Sequence, residues 1–185
     1  MSRGETIILA RHGETDDNVP PIRIQGFSDT PLNDEGRRQA HALAARIKDE
    51  PVASLWSSDL SRARETAAVV GEAIGLEPRL DARLREGNRG EWEGRLWIEI
   101  ERDDPAGYAA WRRAGPDFRF PGGESLGEQA ERVWAAVSDI RAAGELPAVV
   151  VCHGGSIRVV LCRDHPRGLA AFHDFEVPNV ALVRM

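Results

Sequence analysis

At 185 residues, 42% hydrophobic and 29% charged, the chain is long enough to bury a core and too apolar for wholesale disorder. Its formal net charge of −6 argues against nucleic acid or an anionic membrane as the main partner, while leaving room for a locally basic cleft. Two cysteines, Cys152 and Cys162, are too few for a disulfide framework, and no apolar run approaches membrane-spanning length, so a soluble cytoplasmic protein is expected.

The run Ile7-Ile8-Leu9-Ala10 is apolar at every residue, as in a strand buried on both faces of a parallel sheet. It is too short for a signal peptide, and Arg11 and His12 follow at once. Asn33 is placed to cap a helix with Asp34 and Glu35 in its first turn and Ala40, Leu43, Ala44 and Ile47 as its buried stripe. A weaker strand, Ala53 to Trp56, precedes a second helix. There Leu60, Ala63, Ala67, Val70 and Ile74 recur at three-and-four spacing until Gly75 stops them. Another extended piece falls around Arg79-Leu80. From about Gly87 to Gly123 the composition turns to Trp, Arg, Pro and Gly, which predicts a partly helical insertion over the sheet, with short helices at Leu96 to Arg102 and Pro105 to Arg113. The clearest helix follows, with Leu126, Ala130, Val133, Val137 and Ile140 on one face and a capping box in Ser125-Leu126-Gly127-Glu128. Ala148 to Cys152 is the second fully apolar strand. Strand and helix alternate, so the prediction is an α/β fold: a three-layer α/β/α sandwich with a mostly parallel central sheet, one domain over residues 1–185.

The strands end on chemistry. The first delivers Arg11-His12-Gly13-Glu14-Thr15 and the last His153-Gly154-Gly155-Ser156. The Trp56 strand leads to Arg62, and Glu86 follows the Leu80 segment. Ligands of open α/β sheets bind beyond the carboxyl ends of the strands, so two histidines, two arginines and a carboxylate are expected at one rim, beneath the insertion. That set suits a phosphoryl group. Guanidinium forks match its oxygens, a neutral histidine with one nitrogen free can attack phosphorus, and a protonated Glu86 could supply the leaving oxygen with its proton. No His-Glu-x-x-His, Cys-x-x-Cys or Walker-type loop occurs, so neither a metal nor a cofactor is expected.

Six ordered segments resemble the histidine phosphatase superfamily, in its phosphoglycerate mutase-like branch. They are Arg11 to Thr15, Gln25 to Leu32, Ser57 to Ala67, Glu86 with Gly90-Glu91-Trp92-Glu93-Gly94, Pro121 to Ser125, and Val151 to Gly155. The resemblance implies that His12 becomes phosphorylated and that Arg11, Arg62 and His153 bind the phosphoryl oxygens. Asn18 and a backbone N–H near Gly154 would assist, Gln25 and Gly26 belong to a phosphate- or substrate-binding loop, and Glu86 would act as acid and then base. The implied activity is hydrolysis of a small phosphorylated metabolite, with oligomeric state left open.

The alternative is a phosphoglycerate mutase, for which Trp111-Arg112-Arg113 resembles a substrate-binding segment. Against it, the residues after Glu86 are similar to the phosphatase version. A catalytically silent binding protein is a third class, but no expected polar residue is missing. Arg62 lies off its helix's apolar stripe and would by itself be a surface residue. Arg37, Arg38, Arg46, Arg102 and Arg132 are read as solvated, and His41, His165 and His173 as structural. Glu91, Glu93 and Glu124 are assigned local hydrogen bonds, and the tryptophans packing, with Trp92 a candidate for the cleft mouth.

Overall fold

The computed structural model describes residues 6–185. Among these residues the sheet has five strands: β1 (Ile7–Arg11), β2 (Ser54–Ser57), β3 (Arg79–Leu80), β4 (Ala148–Cys152) and β5 (Leu182–Arg184). Their order is β3-β2-β4-β1-β5, all parallel except β5, which runs antiparallel along the β1 edge.

Helices cover both faces, giving the three-layer α/β/α sandwich. Successive strand side chains point to opposite faces, so a strand apolar at every residue feeds two cores. Ile8, Ala10, Val149 and Val151 pack with Leu43 and Ile47 of α1 (Asp34–Ile47) and Ala63, Ala67 and Val70 of α2 (Ser61–Ile74). On the other face, Ile7, Leu9, Ala148 and Val150 belong to a cluster with the chain's later helices. Those are Val133, Val137 and Ile140 of α5 (Leu126–Ala142), and Ile157 and Val160 of α6 (Gly154–Cys162).

The helix signals act as their chemistry requires. Asn33 Oδ1 accepts from Gly36 N at 2.8 Å, and Ser125 and Glu128 exchange reciprocal bonds at 2.8 and 3.1 Å. Gly75 ends α2 with φ at 73°, a left-handed conformation that glycine adopts without steric cost. β2 begins one residue later than its apolar run, at Ser54, and Ala53 N donates to Pro147 O just before it. The short helices are α3 (Trp97–Asp103) and α4 (Pro105–Arg113), α3 being one residue later than expected because Leu96 is extended at the N-cap position, its N–H donating to Glu99 Oε2 at 2.8 Å. Trp92, Trp111 and Phe120 are buried in the same cluster as α5 and α6, so the 87–123 segment shares that core.

Sequence patterning did not assign α6 or β5. α6 matters most for function. β1 leads to α1 on one face and the adjacent β4 leads to α6 on the other, which opens a crevice between the two strand ends.

Candidate active site

Strand register sets the centre of this crevice. Arg11 pairs with Cys152, so His12 and His153 emerge side by side, with ring centroids 5.1 Å apart. His12 N also donates to Cys152 O at 3.0 Å, continuing the ladder by one bond. His12 Nδ1 lies 2.6 Å from Gly13 O. A carbonyl oxygen only accepts, so the proton sits on Nδ1 and Nε2 keeps its lone pair. Burial, and then His153, Arg11 and Arg62, hold the His12 pKa well below the ordinary imidazole range, so the ring is neutral at pH 7. The neighbouring cations alone predict that direction; burial is the larger cause.

His153 packs behind His12. Its Nε2 is 2.9 Å from Ser58 Oγ, and its buried Nδ1 has no partner. Burial, then Arg62 and Arg11, keep it neutral as well.

Arg62, expected at the surface but for its motif, is fully buried. It donates to Ser28 O at 2.7 Å and Gly26 O at 2.9 Å, which leaves its buried Nε unpartnered. Those carbonyls explain the loop from Gln25: it aims Arg62. Gly26 is accordingly not part of the cleft lining, although a ligand-binding place was expected for it. Arg11 donates from Nη1 to Val177 O at 2.6 Å, and its Nε is also buried and unpartnered. Burial brings its pKa down to about 10, so it stays cationic at pH 7.

Asn18 Oδ1 accepts from Thr15 N at 3.1 Å and from Asn179 Nδ2 at 3.2 Å, which leaves the Asn18 amide group as its remaining donor. Gln25 donates to Thr15 Oγ1 at 2.7 Å. Glu86 accepts from Gly155 N at 2.8 Å on Oε2. Its Oε1 accepts from Gly87 N at 2.8 Å, Gln129 Nε2 at 3.0 Å and Arg89 Nη2 at 3.3 Å. Burial by itself would raise its pKa, but Arg89, the two N–H groups and Arg62 hold it at about 2. By itself the cleft therefore keeps Glu86 ionised, whereas an acid role needs a proton.

Arg11, His12, Asn18, Gln25, Arg62, Glu86 and Gly154 line one cleft of about 160 Å³. Among the described residues, no group of three or more His, Cys, Asp or Glu side chains converges as a metal-ligand set.

Several contributors lay outside the sequence patterns. Asn179 also donates to His12 O at 3.1 Å, and Thr66 Oγ1 accepts from Gly13 N at 3.1 Å. Arg158 of α6 lines the cleft, as does Arg89, whose direction the sequence left open. Val177 and Asn179 belong to a turn near the C-terminus with no flanking motif, in which Val180 has a positive φ of 53°. Arg132, read as solvated, instead donates to the carbonyls of Arg83, Arg85 and Glu86 at 2.9, 2.7 and 2.7 Å and pairs with Glu124. It ties down the backbone that carries Glu86. Trp92 is buried in the aromatic cluster, and Trp97 and Trp111 line the cleft in its place. Arg112 and Arg113 are exposed and outside the lining. Glu93 accepts from Phe27 N and Ser28 N, each at 2.8 Å, as local structure.

The model of the histidine phosphatase superfamily (branch 1) matches residues 7–185. The chain belongs to the histidine phosphatase superfamily. A glucosyl-3-phosphoglycerate phosphatase of Mycobacterium tuberculosis is 38% identical over 164 residues, covering 84% of this chain and 73% of the relative. Phosphoglycerate mutase-like protein 4 of Arabidopsis thaliana is 39% identical over 165 residues, covering 86% of this chain and 71% of that one. Among solved structures, a mycobacterial glucosyl-3-phosphoglycerate phosphatase complexed with VO3 superposes with a TM-score of 0.87 at 33% identity, covering 97% of this histidine phosphatase and 90% of the other chain.

Proposed function

We propose that this phosphatase moves the phosphoryl group of a small phosphomonoester first to His12 and then to water. The observation that carries it is the bond from His12 Nδ1 to Gly13 O, which leaves Nε2 as a bare, neutral nucleophile in a cleft it shares with Arg11 and Arg62, the His153 ring packed against it. In the first step the Nε2 lone pair forms the N–P bond, the P–O bond to the leaving group breaks, and Glu86 hands its proton to the leaving oxygen. In the second, water attacks phosphorus, Glu86 takes a proton back, and His12 is released. The unpartnered Nε groups of Arg11 and Arg62, His153 Nδ1 and the Asn18 amide are donors for the phosphoryl oxygens. The substrates named for the mycobacterial relatives support a phosphorylated metabolite of modest size. The phosphatase names of those relatives favour hydrolysis over mutase chemistry.

The test is rapid quenching of a labelled phosphomonoester under alkaline conditions, with peptide mapping. Acid-labile label on His12, lost in His12→Ala together with turnover, is expected, and turnover should persist in EDTA because arginines supply the charge that Mg²⁺ supplies in P-loop enzymes. Label on serine or aspartate, or formation of 2-phosphoglycerate from 3-phosphoglycerate faster than phosphate release, would overturn the assignment.

A further inference from the structure

The two histidines at the strand ends are held through different nitrogens. His12 is fixed at Nδ1 by Gly13 O, whereas His153 is fixed at Nε2, 2.9 Å from Ser58 Oγ, and its Nδ1 is buried without a partner. Both rings are neutral, so each carries one N–H and one lone pair, and the partner decides which nitrogen has which. For His12 the partner is a carbonyl, which only accepts. A hydroxyl can play either part, so the Ser58 proton has to be placed by counting.

Ser58 and His153 are both fully buried, so their polar groups must find partners inside the protein. Ser57 pairs with Val151, and Ser58 N donates to Val151 O at 3.0 Å, which seats Ser58 beside the strand that delivers His153. Ser58 Oγ accepts from Leu60 N at 3.3 Å, at the start of α2. One hydroxyl proton and one lone pair remain. Among the described residues, no acceptor other than His153 Nε2 is bonded to that proton. Were Nε2 protonated instead, the oxygen would accept twice and a buried hydroxyl proton would go without a partner. The proton therefore runs from Ser58 Oγ to Nε2, and the ring keeps its own on Nδ1.

We infer that Ser58 is a positioning residue that sets the tautomer of His153 and so makes its Nδ1 an N–H donor for the phosphoryl oxygens. The inference rests on the phosphohistidine reading of the cleft. The two imidazoles, with centroids 5.1 Å apart, then do opposite work. His12 offers a lone pair to phosphorus, and His153 offers a proton to the oxygens around it. With the other tautomer, His153 would offer a second lone pair to an anion.

Histidine-ring ¹⁵N spectra near neutral pH test it, the His153 signals being those lost in His153→Asn. We expect wild-type His153 to show a protonated Nδ1 and a bare Nε2, with the Nδ1 signal moving when vanadate binds. In Ser58→Ala nothing holds Nε2 as an acceptor, so the Nε2–H form should appear. The same variant should lose about 10- to 100-fold in kcat on p-nitrophenyl phosphate, up to the loss of one oxyanion donor, with little change in KM. Because both changes remove one donor, Ser58→Ala should cost little more in a His153→Asn background, where a merely structural serine would cost as much as before. A wild-type His153 protonated on Nε2, an Nδ1 signal indifferent to vanadate, or equal costs of Ser58→Ala in the two backgrounds overturns the role of Ser58. If vanadate moves the Nδ1 signal but turnover leaves no phosphate on His12, the phosphohistidine reading fails while Ser58 keeps its role in setting a phosphate donor.

Discussion

At the scale of single residues, the protonation of Glu86 is the least expected finding. A general acid must carry a proton, yet the donors around Glu86 hold it at about 2. A dianionic phosphoryl group placed next to it reverses the balance, because a like charge raises a carboxylate pKa. The proton therefore arrives with the substrate, as a monoanion or by uptake from solvent. Phosphate binding near neutral pH, measured calorimetrically in buffers of different ionisation enthalpy, should show net proton uptake that Glu86→Gln removes. The same variant should lower kcat/KM on alkyl phosphates by about 10²–10⁴-fold and on p-nitrophenyl phosphate far less, since that leaving group hardly needs a proton. Equal losses on both esters, with unchanged proton uptake, would show Glu86 to be merely structural. His12, Arg11, His153 and Glu86 were legible because each lies at or soon after a strand end, where topology decides position. Arg158 and Asn179 were not. Nothing local separates Arg158 from other helical arginines, and Asn179 reaches His12 O across 167 residues of sequence.

At the scale of elements, the first turn of α6 joins the halves of the site. It was hidden in the sequence because its N-cap, His153, makes no side-chain capping bond and two glycines open the helix. Gly154 and Gly155 look equivalent in the sequence, but their surroundings differ. A Cβ on Gly155 would overlap Glu86 Oε1, whereas one on Gly154 would meet Arg11 Nε at 3.5 Å, an ordinary contact. Gly155→Ala must push the carboxylate off the amide that holds it, so kcat/KM on an alkyl phosphate should fall by about 100-fold or more. Gly154→Ala should stay within a few-fold of wild type. The reverse order in steady-state kinetics would remove α6 from the positioning of Glu86. Gly13 has a related role that sequence did not reveal. Its Cβ would overlap Gly36 O, so that glycine is needed where the nucleophile loop meets the start of α1.

At the scale of the whole molecule, an acidic protein buries a cationic cleft together with two neutral histidines, and stability must register this as pH changes. Both imidazoles have folded pKa values well below the ordinary 6.5, chiefly through burial, and half-buried His173 is shifted the same way. As pH falls through 6.5 the unfolded chain binds protons on these residues that the folded chain does not, so acid favours unfolding. Each fully shifted histidine adds up to about 1.4 kcal/mol per pH unit to that slope. Glu86 extends the trend. Its folded pKa is depressed to about 2, so its contribution is present above the ordinary carboxylate value of 4.5 and disappears as pH falls from there toward 2. Urea unfolding at pH 7, 6 and 5 should therefore show stability falling steadily with acid. His12→Asn and His153→Asn should each flatten the decline by about 1.4 kcal/mol per unit below pH 6, because asparagine has no proton to gain. A wild-type stability that is flat between pH 7 and 5 would mean that both rings take up protons in the folded state. His12 could not then be the neutral nucleophile that phosphoryl transfer requires.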